Sequence, residues 1–115
     1  MADPFQIETT SPKPLHSEFE CDPDLRDLVM MFVDELDARA ESIRIAHQVR
    51  DTATLRRIAH QLSGSAGGYG FDPIGDAAAR LEHELRGDEA EISIINRRVE
   101  DLISTCHAAV RPDTH

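Results

Sequence analysis

The sequence has no tryptophan, one tyrosine and four phenylalanines. A core with so few aromatic side chains has to be built from Leu, Ile, Val, Ala and Met, which suits packed helices better than a β-sandwich. With 115 residues, the chain is long enough for one domain with one core and too short for two. These absences predict a single domain of the all-α class.

Cysteines and long apolar runs are also scarce. The two cysteines, Cys21 and Cys106, are far apart and no CxxC occurs, so the sequence does not indicate a disulfide framework. No apolar run approaches the roughly 20 residues that are needed to cross a bilayer. Residues 1–10 lack the basic and then apolar pattern of a signal peptide. We therefore expect a cytoplasmic protein.

Basic residues are few, with 12 Lys and Arg against 22 Asp and Glu, and the formal net charge is −10. An acidic chain is repelled by the phosphate backbone of nucleic acids and by anionic membrane surfaces. We expect neither nucleic acid nor a membrane as a partner.

Apolar residues recur at steps of three and four and predict four amphipathic helices. Their expected starts are Asp22-Pro23, Asp51, Asp72-Pro73 and Asp88, with Glu91 completing a capping-box-like pattern. The run Gly67-Gly68-Tyr69-Gly70 ends the second helix and Gly87 ends the third. The predicted core faces are Leu25, Leu28, Val29, Phe32, Leu36, Ile43 and Val49; Leu55, Ile58, Ala59, Leu62 and Ala66; Ile74, Ala77, Ala78, Leu81 and Leu85; and Ile92, Ile95, Val99, Leu102, Ile103 and Cys106.

Four such helices joined by short turns predict an antiparallel up-and-down four-helix bundle. We place the bundle at residues 21–110. A flexible or loosely docked N-terminal tail at 1–20 leaves room for a short extra segment, and residues 111–115 form a C-terminal tail.

The second helix carries an outward-facing histidine. On a helical wheel His60 lies about 140° from Leu55 in the predicted core, Gly64 about 180° and Gly67 about 120°. Glycine inside a helix costs about 1 kcal/mol relative to alanine. The clearest benefit of Gly64 is that nothing covers the imidazole on that side, so another protein can approach closely. Neutral imidazole is a nucleophile that can accept a phosphoryl group, and Arg56 and Arg57 lie one turn earlier to balance its charge.

The run Ala59-His60-Gln61-Leu62-Ser63-Gly64-Ser65-Ala66, followed by Gly70 and later by Leu81-Glu82, resembles the signature of histidine-containing phosphotransfer (HPt) domains. The stretch from Asp22 through Phe32 and Leu36 is similar to the family's preceding helix. The resemblance covers about residues 20–108.

The resemblance implies a four-helix bundle in which His60 is the phosphoacceptor. It implies a carrier between aspartates of receiver domains, in a hybrid histidine kinase and in response regulators, without kinase activity or a cofactor of its own. The receiver domain is expected to supply Mg²⁺, and the carrier is expected to be a monomer without a metal site. Candidate contacts to phosphate or receiver are Arg56, Arg57, Gln61, Ser63, Gly64 and Gly67.

One position departs from the family pattern, because Ser63 stands where a lysine is usual, three residues after the histidine. The departure keeps a second function open, that of a helical module that binds receivers and regulates them without accepting phosphate. A third interpretation is the dimerisation and phosphoacceptor part of a histidine kinase. It is disfavoured because the chain has no room for an ATP-binding domain and has Gln61 where an acidic residue is usual.

Overall fold

The computed structural model describes residues 13–87 and 91–112, and within them it contains four α-helices. They are α1 (Arg26–Gln48), α2 (Thr52–Ser65), α3 (Asp72–Arg86) and α4 (Ile92–Ala108), and a short 3₁₀ helix (Ala66–Tyr69) follows α2 directly. Each α-helix packs on its neighbour along the chain, and α1 packs on α4, which closes the bundle. The predicted all-α four-helix bundle is confirmed.

The predicted core faces of α2 and α3 are buried at every position, including Leu55, Leu62 and Leu81. The prediction is wrong at three positions in the other helices, because Leu28, Val49 and Ile92 are 47%, 67% and 54% exposed. Leu28 lies in the first turn of α1, Val49 follows its last residue and Ile92 is the first residue of α4. For Val49 and Ile92, helical periodicity continues to the end of the helix, whereas the neighbouring helices do not cover that end. Leu28 lies next to Val29, which is 1% exposed, and so lies at the edge of the buried face.

The predicted helix starts are correct to within a few residues. Asp51 caps α2, since its carboxylate accepts a hydrogen bond from the Thr54 N–H at 3.1 Å. The first helix begins at Arg26 rather than at Asp22-Pro23, because the Asp22 carbonyl accepts from both Leu25 and Arg26 and closes a separate turn. Phe71, not Asp72, is the cap residue of α3. The start predicted at Asp88 lies outside the described residues, and α4 begins after Glu91.

A glycine turn and three aromatic rings hold the end of α2. Gly70 has φ of +85°, a left-handed conformation that favours glycine, and its N–H donates to carbonyls of the 3₁₀ helix. Tyr69 stacks on Phe32 of α1 with ring centroids 4.5 Å apart, and Phe71 lies 5.8 Å from the same ring. These contacts fix the direction in which the chain leaves α2 and enters α3.

Residues 13–20 lie along the bundle. Leu15 donates its N–H to the Ala108 carbonyl at 2.8 Å and accepts from the Val110 N–H at 2.8 Å. Ser17 is buried, and its hydroxyl donates to the Tyr69 carbonyl at 2.6 Å. This part of the predicted tail is therefore held against the 3₁₀ helix and the end of α4. Residues 1–12 and 113–115 lie outside the described residues, and the boundaries at 20 and 110 stay predictions.

Candidate functional site

His60 lies on the outward face of α2, as the helical wheel predicts, and its side chain is 72% exposed. Its neighbours Ala59 and Leu62 are completely buried in the core. The two faces of one helix therefore have separate tasks: the apolar face fixes α2 in the bundle, and the polar face presents the imidazole to solvent.

Glu82 of α3 binds the imidazole of His60 by one ring nitrogen. The Nδ1 atom of His60 and the Oε2 atom of Glu82 are 2.8 Å apart. A carboxylate only accepts hydrogen bonds, so Nδ1 carries the proton in this contact. In the neutral ring the lone pair then resides on Nε2, which is the nucleophilic nitrogen. The contact selects both the tautomer and the orientation of an otherwise exposed side chain.

Glu82 is itself held in its charged form. Its side chain is only 12% exposed, and its Oε2 atom also accepts from Arg86 Nη2 at 3.0 Å. Partial burial by itself raises the pKa of Glu82, but the hydrogen bonds from His60 and Arg86 more than offset this and hold the pKa below its ordinary value of 4.5. At neutral pH the imidazole therefore faces a carboxylate.

Three arginine side chains share a surface depression with the imidazole. A surface depression between α2 and α3 is lined by Ala53, Arg56, Arg57, His60, Glu82 and Arg86. The two predicted charge-balancing residues, Arg56 and Arg57, thus share one concave surface with His60. Arg86 joins them from the last turn of α3.

Ser63, which stands in place of the usual lysine, is turned toward its own helix. Its hydroxyl donates to the carbonyl of His60 at 2.9 Å and lies 3.4 Å from Glu82 Oε1. Serine often hydrogen-bonds to the preceding turn in this way. Ser63 brings no positive charge to the imidazole and instead borders the carboxylate that orients it.

The remaining predicted contact residues lie outside the arginine-lined depression. The Gln61 amide oxygen is 3.5 Å from Arg39 Nη1 on α1. A Cβ atom built on Gly64 would meet nothing within 4 Å, so this turn of α2 is bare. Gly67 belongs to the 3₁₀ helix rather than to α2, and a Cβ atom there would lie 3.1 Å from Asp72 Oδ1.

Two residues of this arrangement were not predicted as contacts to His60. The family resemblance includes Glu82 only as half of the Leu81-Glu82 pair, and the sequence analysis assigns no role to Arg86. The sequence does indicate a partner for Arg86, because Glu82 precedes it by four residues on one helix face. An acidic residue before a basic one is the favourable order for such an ion pair. The contact between α2 and α3 that brings both to His60 depends on tertiary packing.

A family model described as Hpt domain matches residues 27–111. The chain belongs to the Hpt domain family. Hpt domains act in phosphotransfer in two-component signalling, as phosphocarriers rather than kinases, and generally interact with receiver domains. Searches of curated proteins and of solved structures found no match to this chain.

Two further properties bear on the class of site. In residues 13–87 and 91–112, no group of three or more His, Cys, Asp or Glu is arranged to hold a metal ion. Within the same ranges no helix combines the length and the apolar character that crossing a bilayer requires.

Proposed function

We propose that this Hpt protein carries a phosphoryl group on Nε2 of His60 between aspartates of receiver domains in a phosphorelay. The observation that carries the proposal is the pairing of an exposed imidazole with a fixed carboxylate. The side chain of His60 is 72% exposed, and its Nδ1 is bonded to Glu82, so Nε2 is the ring nitrogen left for the reaction.

The proposed transfer exchanges one bond for another. The lone pair of Nε2 forms a bond to phosphorus as the bond between phosphorus and the aspartyl oxygen breaks, and the aspartate leaves as a carboxylate with the electron pair. The Nδ1 proton stays in its hydrogen bond to Glu82, and that carboxylate balances the positive charge that the ring acquires. In the second transfer, a carboxylate oxygen of the next receiver's aspartate forms a bond to phosphorus as the bond between phosphorus and Nε2 breaks, and the electron pair returns to Nε2. The receiver domain brings Mg²⁺, and this chain brings the oriented imidazole.

A labelled-receiver assay tests the proposal. The protein is incubated with a phosphorylated receiver domain from the same cell and Mg²⁺, and label on the carrier is followed. We expect acid-labile, alkali-stable label on His60, which the His60→Gln variant lacks. The matched control is His83→Gln, because His83 is an exposed histidine of α3. Label on another residue, or equal labelling of His60→Gln, would overturn the proposal.

A second candidate function is a receiver-binding module that regulates without accepting phosphate. Ser63 favours it, because its hydroxyl is directed to the His60 carbonyl and supplies no charge for a phosphoryl group. The same assay separates the two functions. Tight binding of the receiver with no label on His60 supports the module, whereas label on His60 supports the carrier.

A further inference from the structure

The depression beside His60 is cationic in a chain whose formal net charge is −10. Three arginines and one glutamate line it together with the histidine. The only lysine of the chain is Lys13, which precedes α1, so the positive charges near the imidazole come from arginine. Arginine presents a planar fork of N–H donors that matches the oxygens of a phosphate, and a single guanidinium can bind two of them.

The direction of helical side chains places the imidazole toward these charges. A side chain on an α-helix leans toward the N-terminus and covers the turn before its own Cα atom. For His60 that turn holds Arg56 and Arg57, four and three residues earlier. Position 63, where the family usually has its lysine, lies on the following turn instead. In this chain two cationic residues therefore precede the histidine along α2, whereas the usual lysine of the family follows it.

Arg86 completes the group from α3. Its Nη2 and the Nδ1 of His60 bind the same carboxylate oxygen of Glu82, at 3.0 Å and 2.8 Å, so the guanidinium and the imidazole lie within two hydrogen-bond lengths of each other. A guanidinium has five N–H donors and one of them reaches Glu82. The side chain of Arg86 is 61% exposed, which leaves its other donors open to a ligand.

We propose that Arg56, Arg57 and Arg86 form an anion subsite that holds the phosphoryl group once it is bonded to Nε2 of His60. This inference rests on the proposed function, since it assigns the residues that receive the group there. The subsite replaces the positive charge that Ser63 does not supply. The arginines hold the phosphoryl oxygens, and the bare turn at Gly64 leaves space for the partner protein to approach.

A titration with inorganic phosphate tests the subsite without any phosphotransfer. The imidazole resonances of His60 are followed by NMR as phosphate is added at constant ionic strength. We expect a saturable shift in the wild-type protein that is lost in a variant with Arg56→Gln, Arg57→Gln and Arg86→Gln. The control is Arg80→Gln, an exposed arginine of α3 outside the depression. An unchanged titration in the triple variant would overturn the subsite, whatever the receiver assay shows.

The lifetime of the phosphohistidine tests the subsite in its loaded form. His60 is phosphorylated chemically with phosphoramidate, which needs no receiver, and the loss of label is timed. We expect Arg86→Gln to shorten the half-life about threefold, within the range of exposed ion pairs. Arg86→Lys should restore part of it, because the charge is kept and the fork is lost. Arg80→Gln should match the wild-type protein.

The outcomes separate the two proposals. Label that forms on His60 from a receiver but decays equally fast in the wild-type, Arg86→Gln and Arg56→Gln/Arg57→Gln proteins overturns the subsite and leaves the carrier function standing. Failure of a receiver to label His60, combined with a phosphate titration that depends on the arginines, overturns the carrier function and keeps an anion site beside the histidine.

Discussion

His60 and Glu82 belong to adjacent helices and meet in a 2.8 Å hydrogen bond, although the side chain of His60 is 72% exposed and that of Glu82 only 12%. Under the proposed function, the exposed partner is the one that reacts, and the covered partner is the one that orients it. A histidine held in this way needs no burial to have a defined tautomer. The bundle thus fixes the orientation and the tautomer of the His60 side chain, while that side chain remains accessible to another protein.

The charge of Glu82 should contribute to stability in a defined pH range. Its pKa is lowered in the folded protein, because hydrogen bonds from His60 and Arg86 outweigh the opposing effect of partial burial. The stabilisation is therefore complete above the ordinary pKa of 4.5 and is lost as the pH falls through the lowered value. We expect Glu82→Gln to lower the melting temperature at pH 7 and to have little effect near pH 3.

Thermal melts of the wild-type and Glu82→Gln proteins between pH 3 and pH 7 measure this difference. Glu100→Gln is the control, because Glu100 is an exposed glutamate of α4 and should give a small difference at every pH. If Glu82→Gln lowers the melting temperature equally at both ends of the range, the carboxylate charge does not stabilise the fold.

The sequence predicts the outward position of His60 and the bare turn at Gly64, because both follow from the periodicity of a single helix. It does not predict that Glu82 binds His60, since that contact requires the register between α2 and α3. It does not predict the exposure of Val49 and Ile92 for a related reason. Periodicity identifies the face of a helix that points inward, but the extent of cover near the helix ends is set by its neighbours.

The two cysteines should differ in reactivity. Cys106 is 2% exposed, and burial raises the pKa of its thiol to about 12, whereas Cys21 is exposed. The thiolate is the reactive form. We expect one thiol per chain to react quickly with Ellman's reagent at pH 8 in the native protein, and two after denaturation. Cys21→Ser should remove the fast phase, and a fast native reaction in that variant would contradict the burial of Cys106.

Gly70 should be a position where alanine is poorly tolerated. Its φ of +85° costs an L-residue about 1–2 kcal/mol. A Cβ atom there would also lie 2.7 Å from the Glu18 backbone nitrogen and in conflict with the Ser17 hydroxyl. We expect Gly70→Ala to lower the melting temperature by roughly 5–15 °C.

Gly68→Ala is the matched control for Gly70→Ala. It lies two residues away, and a Cβ atom there would meet nothing within 4 Å. Its melting temperature should stay close to that of the wild-type protein. Equal melting temperatures for the two variants would contradict both the conformational strain expected at position 70 and the close contact of that position with residues 17 and 18.

Gly64 should be kept for access rather than for stability. A Cβ atom at this position would meet nothing within 4 Å, so no packing contact requires a glycine. Because glycine disfavours the helix, Gly64→Ala and Gly64→Gln should each stabilise the protein by about 0.5–1 kcal/mol. The melting temperature should rise by roughly 2–6 °C in both variants.

The two Gly64 variants should differ in phosphotransfer, which separates access from stability. The methyl group of alanine extends little from the helix, whereas the glutamine side chain reaches over the surface that the partner must approach. We expect Gly64→Gln to slow labelling by a phosphorylated receiver about tenfold or more, an effect of about 1.4 kcal/mol on the barrier, and Gly64→Ala to slow it less. Stabilised variants that both transfer at the wild-type rate would mean that the partner approaches His60 from elsewhere, because the bare turn would then have no effect on the reaction.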